Sequence, residues 1–101
     1  MRISGPLDTL VTSATGTHAV AVVREAVSNV VRHAGASTVT VTVEAGQDLR
    51  VEVVDDGTGI DPDAARSGLR NLEERARECG GRFAVTAAPG RGTRLSWHVP
   101  L

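Results

Sequence analysis

Three polar side chains recur at four-residue intervals in the first third of the sequence. Glu25, Asn29 and His33 have this spacing, and Arg32 stands beside them. In a helix, residues four apart share a face, so a carboxylate, an amide and an imidazole would form one polar stripe. Such a stripe suits phosphate oxygens and a hydrated Mg²⁺, which takes few protein ligands and keeps several waters. On its own, so short a pattern is more often an ordinary solvated helix face.

A second polar group stands where a predicted strand ends. The sequence there runs Asp55-Asp56-Gly57-Thr58-Gly59-Ile60. The Asp55 carboxylate could accept a hydrogen bond from a ligand's amino group, while the bare backbone at Gly57 and Gly59 could approach a flat ring. Taken alone, Asp-Asp-Gly is simply a turn.

Two glycine-containing segments complete the set of candidates. Gly68-Leu69-Arg70-Asn71-Leu72 would open a second helix, and Gly90-Arg91-Gly92-Thr93 would join the last two strands. Glycine at a helix start lets a phosphate approach the free N–H groups and the positive end of the helix dipole. Each segment also suits a cap or a hairpin turn, and neither matches the Walker A loop or the dinucleotide pattern G-x-G-x-x-G.

Two amphipathic helices are predicted to position these groups. The first runs from about residue 18 to 34, where Gly35 ends it, and the second stops at Gly80-Gly81. The apolar positions that define them are Val20, Val23, Val27, Val30, Val31 and Ala34 in the first, and Leu69, Leu72, Ala76 and Cys79 in the second.

Alternating apolar and polar residues predict two hairpins. One pairs 38–44 with 49–55, and the other pairs 83–87 with 93–99. A weaker edge strand at 3–11 precedes a loop at 12–17. The order strand, helix, strand, strand, helix, strand, strand predicts a helical layer on one face of a mixed sheet.

The bulk composition predicts one soluble domain spanning residues 1–101. Hydrophobic residues make up 41% of the chain, and no run approaches the ~20 apolar residues that a membrane span needs. Eleven basic residues are scattered among twelve acidic ones, so neither nucleic acid nor direct membrane contact is expected. The single cysteine, Cys79, excludes an internal disulfide. A cytoplasmic location is the resulting expectation.

In this order and at these element boundaries, the four motifs resemble the N, G1, G2 and G3 boxes of the GHKL superfamily. The similarity runs from about Ala21 to the C-terminus. It implies the Bergerat fold, an α/β two-layer sandwich with a mixed, mainly antiparallel sheet and helices on one face. The segment from Arg24 to Ala34 looks like the N box of sensor histidine kinases that pair with NarL-type response regulators, among them haem sensors of the DevS and DosT type.

The resemblance also implies individual roles. Asn29 would coordinate Mg²⁺, and Asp55 would receive the adenine amino group. Glu25 occupies the place of the general base in relatives that hydrolyse ATP; in a kinase it would polarise the acceptor histidine or order a water. The remaining expected nucleotide contacts are Arg32 and His33 at the phosphates or ribose, Gly57 and Gly59 at the base, Gly68 and Asn71 at the phosphates, and Gly92 with Thr93, whose hydroxyl would share a water with adenine.

The implied function is to bind ATP and Mg²⁺ and to donate the γ-phosphate to a histidine on the adjacent dimerisation domain of a two-component sensor kinase. A downstream response regulator would be the further partner. Two alternatives stay open, an anti-sigma-factor-type serine kinase and a degenerate module that acts as a docking surface.

Two departures from the family pattern accompany this resemblance. Only Asp61 to Ser67 are available for the ATP lid, so the isolated domain is expected to bind nucleotide weakly. His18, His33 and His98 all lack the sequence setting of a phosphoacceptor, so none is expected to serve as one.

Overall fold

The computed structural model describes residues 2–4, 14–33, 35, 38–57, 66–88 and 92–100. Its elements follow the predicted order. They are β1 (Arg2–Ser4), α1 (Ala14–His33), β2 (Val39–Ala45), β3 (Asp48–Asp55), α2 (Arg66–Glu78), β4 (Arg82–Ala87) and β5 (Thr93–Pro100). In this part of the chain, no helix is both long and apolar enough to cross a membrane.

The strands form one five-stranded sheet in the order β1-β2-β3-β5-β4. β1 pairs with β2 in parallel, and every other pairing is antiparallel. The predicted mixed, mainly antiparallel sheet is therefore confirmed. The neighbouring strands β3 and β5 pair Val54 with Arg94. The end of β3 and the start of β5 therefore lie side by side, at the same end of the strands.

The core lies between one face of this sheet and the two helices. Alternate residues of β2, β3 and β5 point into it, as the period of two requires, whereas β4 is mostly exposed. The fully buried side chains include Leu49, Val51, Val53, Trp97 and Val99 from the sheet and Val22, Val30 and Leu72 from the helices. Burial of a side chain of this size stabilises the fold by about 1.5–3 kcal/mol, so this layer holds both helices against the sheet.

The predictions for α1 were wrong in two details. The helix begins at Ala14, so residues 14–17 are helical and not a loop. Its buried face is formed by Ala19, Val22, Ala26 and Val30, whereas Val20 is 56% and Val31 74% exposed. The four buried residues recur at three- and four-residue steps and so share one face of the helix, and Val20 and Val31 lie outside that face.

The ends of the other elements differ from prediction by short distances. α2 begins at Arg66, two residues before Gly68, and it ends in a Schellman motif at the predicted glycines. Gly80, with φ 78°, donates to the Arg77 carbonyl at 3.0 Å, and Gly81 donates to the Ala76 carbonyl at 2.8 Å. β1 covers only Arg2–Ser4 of the strand predicted at 3–11, and the rest of that prediction lies outside the described residues.

Candidate nucleotide-binding site

Asp55, the last residue of β3, is a buried carboxylate with only 3% of its surface exposed. Its Oδ1 accepts a hydrogen bond from the Gly57 amide at 2.8 Å. Its buried Oδ2 has no hydrogen-bond partner among the described residues. Since burial without a partner is costly for a carboxylate oxygen, this arrangement leaves an acceptor ready for a donor group on a ligand.

Gly92 and Thr93 bring the last predicted motif against this carboxylate. Gly92 has φ 101°, and a Cβ there would overlap the Asp55 carbonyl oxygen and lie 3.0 Å from Oδ1. Thr93 follows it at the start of β5 and is 4% exposed. The absence of a side chain therefore lets Gly92 lie directly against the end of β3.

Asn29 forms a second part of the site, between the two helices. It is 7% exposed, and within the described chain its Nδ2 has no hydrogen-bond partner. A Cβ at Gly68 would lie 2.6 Å from the Asn29 Oδ1, so a side chain there would displace the end of the Asn29 side chain. The Asn29 side chain is thus closely packed between the helices, and its Nδ2 can still donate a hydrogen bond.

Glu25 and Asn71 continue this contact one turn along each helix. The Asn71 Nδ2 donates a hydrogen bond to the Glu25 Oε1 at 3.1 Å. The resemblance implies a phosphate contact for Asn71, and in the folded chain the Asn71 amide donates to a carboxylate of the other helix. The sequence contained no signal for this pair, because its members come from two separate helical patterns.

The start of β2 lies beside the Asp55 part of the site. Residues 34–38 join the end of α1 to Val39, and Val39 pairs with Asp55. Asp56 reinforces the connection, since its Oδ1 accepts a hydrogen bond from the Thr38 amide at 2.9 Å. Asp56 therefore has a structural contact that sequence reasoning missed, although aspartate in a turn is the usual signal for one.

The other predicted site residues are placed less completely. Gly57 is buried beside Asp55, and Arg32 is exposed near the end of α1. His33 is the last residue of α1, but its side chain is outside the described set, as are Gly59 and the lid residues 61–65. Arg66 and Ser67, the last two residues of the predicted lid, belong to α2.

The remaining histidines have ordinary structural partners. The His18 Nδ1 lies 3.1 Å from Arg75 Nη1, and since a guanidinium only donates, Nδ1 is the acceptor. The His98 Nε2 lies 3.1 Å from Asp48 Oδ2. Their side chains are 25% and 24% exposed, so both histidines are half-buried.

Cys79 packs against the core as the predicted small hydrophobe. Burial raises the pKa of its thiol above the ordinary value of 9.0, the Glu78 carboxylate adds to the rise, and Arg75 opposes it.

A two-layer α/β sandwich with a buried carboxylate at the end of its central strand and a polar pair between its helices is the architecture of a GHKL-type domain. The chain belongs to the histidine kinase-, DNA gyrase B- and HSP90-like ATPase family, whose model matches residues 14–101.

Two curated relatives are sensor kinases. The chain is 38% identical over 98 residues to the sensor histidine kinase LiaS of Bacillus subtilis, covering 93% of this chain and 27% of LiaS. It is 36% identical over 88 residues to the sensor protein VraS of Staphylococcus haemolyticus, covering 83% of this chain and 25% of VraS. The chain thus spans about a quarter of the length of these relatives.

Solved structures show the same fold. The ATP-binding domain of PrrB from Mycobacterium tuberculosis aligns with a TM-score of 0.69 at 23% identity, covering 83% of this chain and 67% of that one. Full-length ShkA, solved in complex with AMPPNP, aligns with a TM-score of 0.65 at 24% identity, covering 78% of this chain and 20% of that one.

Proposed function

We propose that this chain binds ATP with Mg²⁺ and donates the γ-phosphate to a histidine on the dimerisation domain of a sensor kinase. The observation that carries the proposal is the buried Asp55 Oδ2, which has no partner in the described part of the chain. The exocyclic amino group of adenine is a donor of the kind this oxygen lacks. Gly57 beside it has no side chain, so a flat base can approach.

Asn29 offers the metal one oxygen ligand, its Oδ1, while its Nδ2, unpartnered within the described residues, is a donor that would face a phosphate oxygen and not the cation. No group of three or more His, Cys, Asp or Glu side chains comes together in the described structure, so a cation would take most of its ligands from elsewhere. Mg²⁺ is bound in this way, with few protein oxygens alongside phosphate oxygens and water. Held by the Asn29 Oδ1, it would neutralise charge on the triphosphate.

The chain's own residues would then act mainly by positioning. Asp55 orients the base, while Gly68 at the start of α2 leaves room beside Asn29. Glu25 stands half-buried one turn before Asn29, where its carboxylate could polarise the acceptor histidine or order a water. Phosphoryl transfer is catalysed largely by alignment and by charge neutralisation, and this set of residues suits both.

The family relationship also supports proposals about partners and location. The sensor kinase relatives support a dimerisation domain with the acceptor histidine as the direct partner and a response regulator as the next one. The N-box segment from Arg24 to Ala34 supports a NarL-type regulator and a haem sensor of the DevS and DosT type. A cytoplasmic location belongs to the same proposal, because ATP and the regulator are both found there.

Two adjacent aspartates provide a matched test. Asp55→Asn removes the proposed adenine acceptor, whereas Asp56→Asn alters the carboxylate that binds the Thr38 amide. A hydrogen bond to a charged group is worth about 1.5–3 kcal/mol, so Asp55→Asn is expected to weaken ATP binding by roughly ten- to hundred-fold. Asp56→Asn should keep parental affinity.

The measurement is titration of a fluorescent ATP analogue with and without Mg²⁺. The single tryptophan, Trp97, is fully buried in a chain without tyrosine, so its fluorescence verifies that each variant is folded. Equal affinity of the parent and Asp55→Asn would refute the adenine assignment. A parent chain that binds no nucleotide would instead favour the degenerate docking module.

A further inference from the structure

The hydrogen bond between Asn71 and Glu25 is a side-chain link between the two helices at the proposed phosphate end of the site. Asn71 is exposed and Glu25 half-buried, and the donor–acceptor distance is 3.1 Å. One turn away on each helix, Gly68 lies directly against Asn29. The link therefore borders the place where the metal and phosphates are proposed to lie.

Helix packing does not depend on this link. α2 is already anchored by Leu72 and Ala76, both fully buried, and by the Gly68 contact with Asn29. Water competes with an exposed amide–carboxylate hydrogen bond, so its contribution to stability is small. The more specific effect of this hydrogen bond is on the Glu25 side chain, because the Asn71 amide holds the Glu25 carboxylate in one position.

That effect matters next to a triphosphate. A free glutamate side chain samples many rotamers, and ordering it during the reaction costs entropy. A carboxylate is also repelled by phosphate oxygens, and it would tend to swing away from them. A neutral amide fixes the carboxylate beforehand without adding a charge that would compete for the phosphates.

We propose that Asn71 is a positioning residue that holds the Glu25 carboxylate in the orientation needed for phosphoryl transfer. The inference rests on the proposed function and replaces the expected phosphate contact of Asn71 with an indirect role. It predicts that loss of the Asn71 amide slows the chemical step while ATP binding, which depends on Asp55 and Asn29, is preserved.

A double-mutant cycle on Asn71 and Glu25 tests this proposal. The variants Asn71→Ala, Glu25→Ala and the double variant are compared, with Asn71→Gln as the conservative change and Glu74→Ala as an exposed control on α2. The full chain is supplied with a sensor kinase domain carrying the acceptor histidine. KM and kcat for ATP are measured from phosphohistidine formation, and Kd from the fluorescent analogue.

The expected result is a loss in kcat of about ten- to hundred-fold for Asn71→Ala, the usual effect of a misplaced catalytic group. KM and Kd should stay within about twofold, and Asn71→Gln should recover part of the rate. In the Glu25→Ala background, Asn71→Ala should cause no further loss, because a residue that acts through Glu25 has nothing left to position.

Three results would overturn the proposal. An unchanged kcat in Asn71→Ala would remove the positioning role. A raised KM at parental kcat would indicate a direct phosphate contact, and additive losses in the double variant would show that Asn71 acts independently of Glu25. A parent chain that does not bind ATP would be a failure of the proposed function itself, and the inference would fall with it.

Discussion

Gly92 lies directly against Asp55, although the two residues belong to different strand ends. A methyl group at position 92 would overlap the Asp55 carbonyl oxygen and lie 3.0 Å from the carboxylate Oδ1. The backbone of Gly92 also has φ 101°, which L side chains rarely adopt. The position of the candidate adenine acceptor therefore depends on the absence of a side chain in the last turn.

Gly92→Ala should both destabilise the chain and abolish ATP binding. The positive φ alone costs about 1–2 kcal/mol, and the overlap with Asp55 adds to it. Gly35→Ala is the matched control, since Gly35 has φ 60° with nothing within 4 Å of a Cβ. Urea unfolding followed by Trp97 fluorescence should show the larger loss at position 92. Retention of parental ATP affinity by Gly92→Ala would contradict the proposed geometry.

Gly68→Ala should selectively weaken binding of ATP in the presence of Mg²⁺. The new Cβ would lie 2.6 Å from the Asn29 Oδ1 and displace the proposed metal ligand. Alanine is favoured over glycine in a helix by about 1 kcal/mol, so a general loss of stability is not expected. Calorimetric titrations with and without Mg²⁺ distinguish the effects. An equal reduction under both conditions would argue against Asn29 as the metal ligand.

The isolated chain is expected to bind ATP weakly and to gain affinity from the acceptor domain. The predicted lid, Asp61 to Ser67, is short, and Arg66 and Ser67 are already part of α2. If the competent conformation is a minor one, apparent affinity falls about tenfold for each ~1.4 kcal/mol between the two states. Calorimetry with and without the acceptor domain measures the difference. Tight, equal dissociation constants would show that the short lid does not limit binding.

Stability should fall at alkaline pH because of Cys79. Burial raises the pKa of its thiol above 9.0 in the folded chain, so above that pH the unfolded chain loses the proton first. The folded chain then holds more protons, and the free energy of unfolding decreases as pH rises through the folded-state pKa. The sequence has no lysine or tyrosine to titrate in this range. The urea midpoint of the parent should be lower at about pH 10 than at about pH 8, and this difference should be smaller for Cys79→Ser. An equal difference in both proteins would exclude the thiol as the cause.

The element order and much of the sheet were predictable from the sequence by itself. The strands around Val41, Val51 and Leu95 alternate between buried and exposed positions, and this period of two is a local property that survives folding. Asp55 at a strand end and the glycines after α2 were likewise visible as local signals. The functional roles assigned through the resemblance stay predictions, tested by the experiments above.

Tertiary structure alone decided which residues meet. The sequence could not predict which face of α1 packs on the sheet, because its valines and alanines form an apolar arc wide enough for several orientations. In the folded chain, Ala19 and Ala26 are buried and Val31 is exposed. The contacts of Gly92 with Asp55 and of Asn71 with Glu25 join distant parts of the chain. Such contacts have no period along the sequence, since they arise from the relative placement of whole elements, and that placement is determined by how the helices close over the sheet.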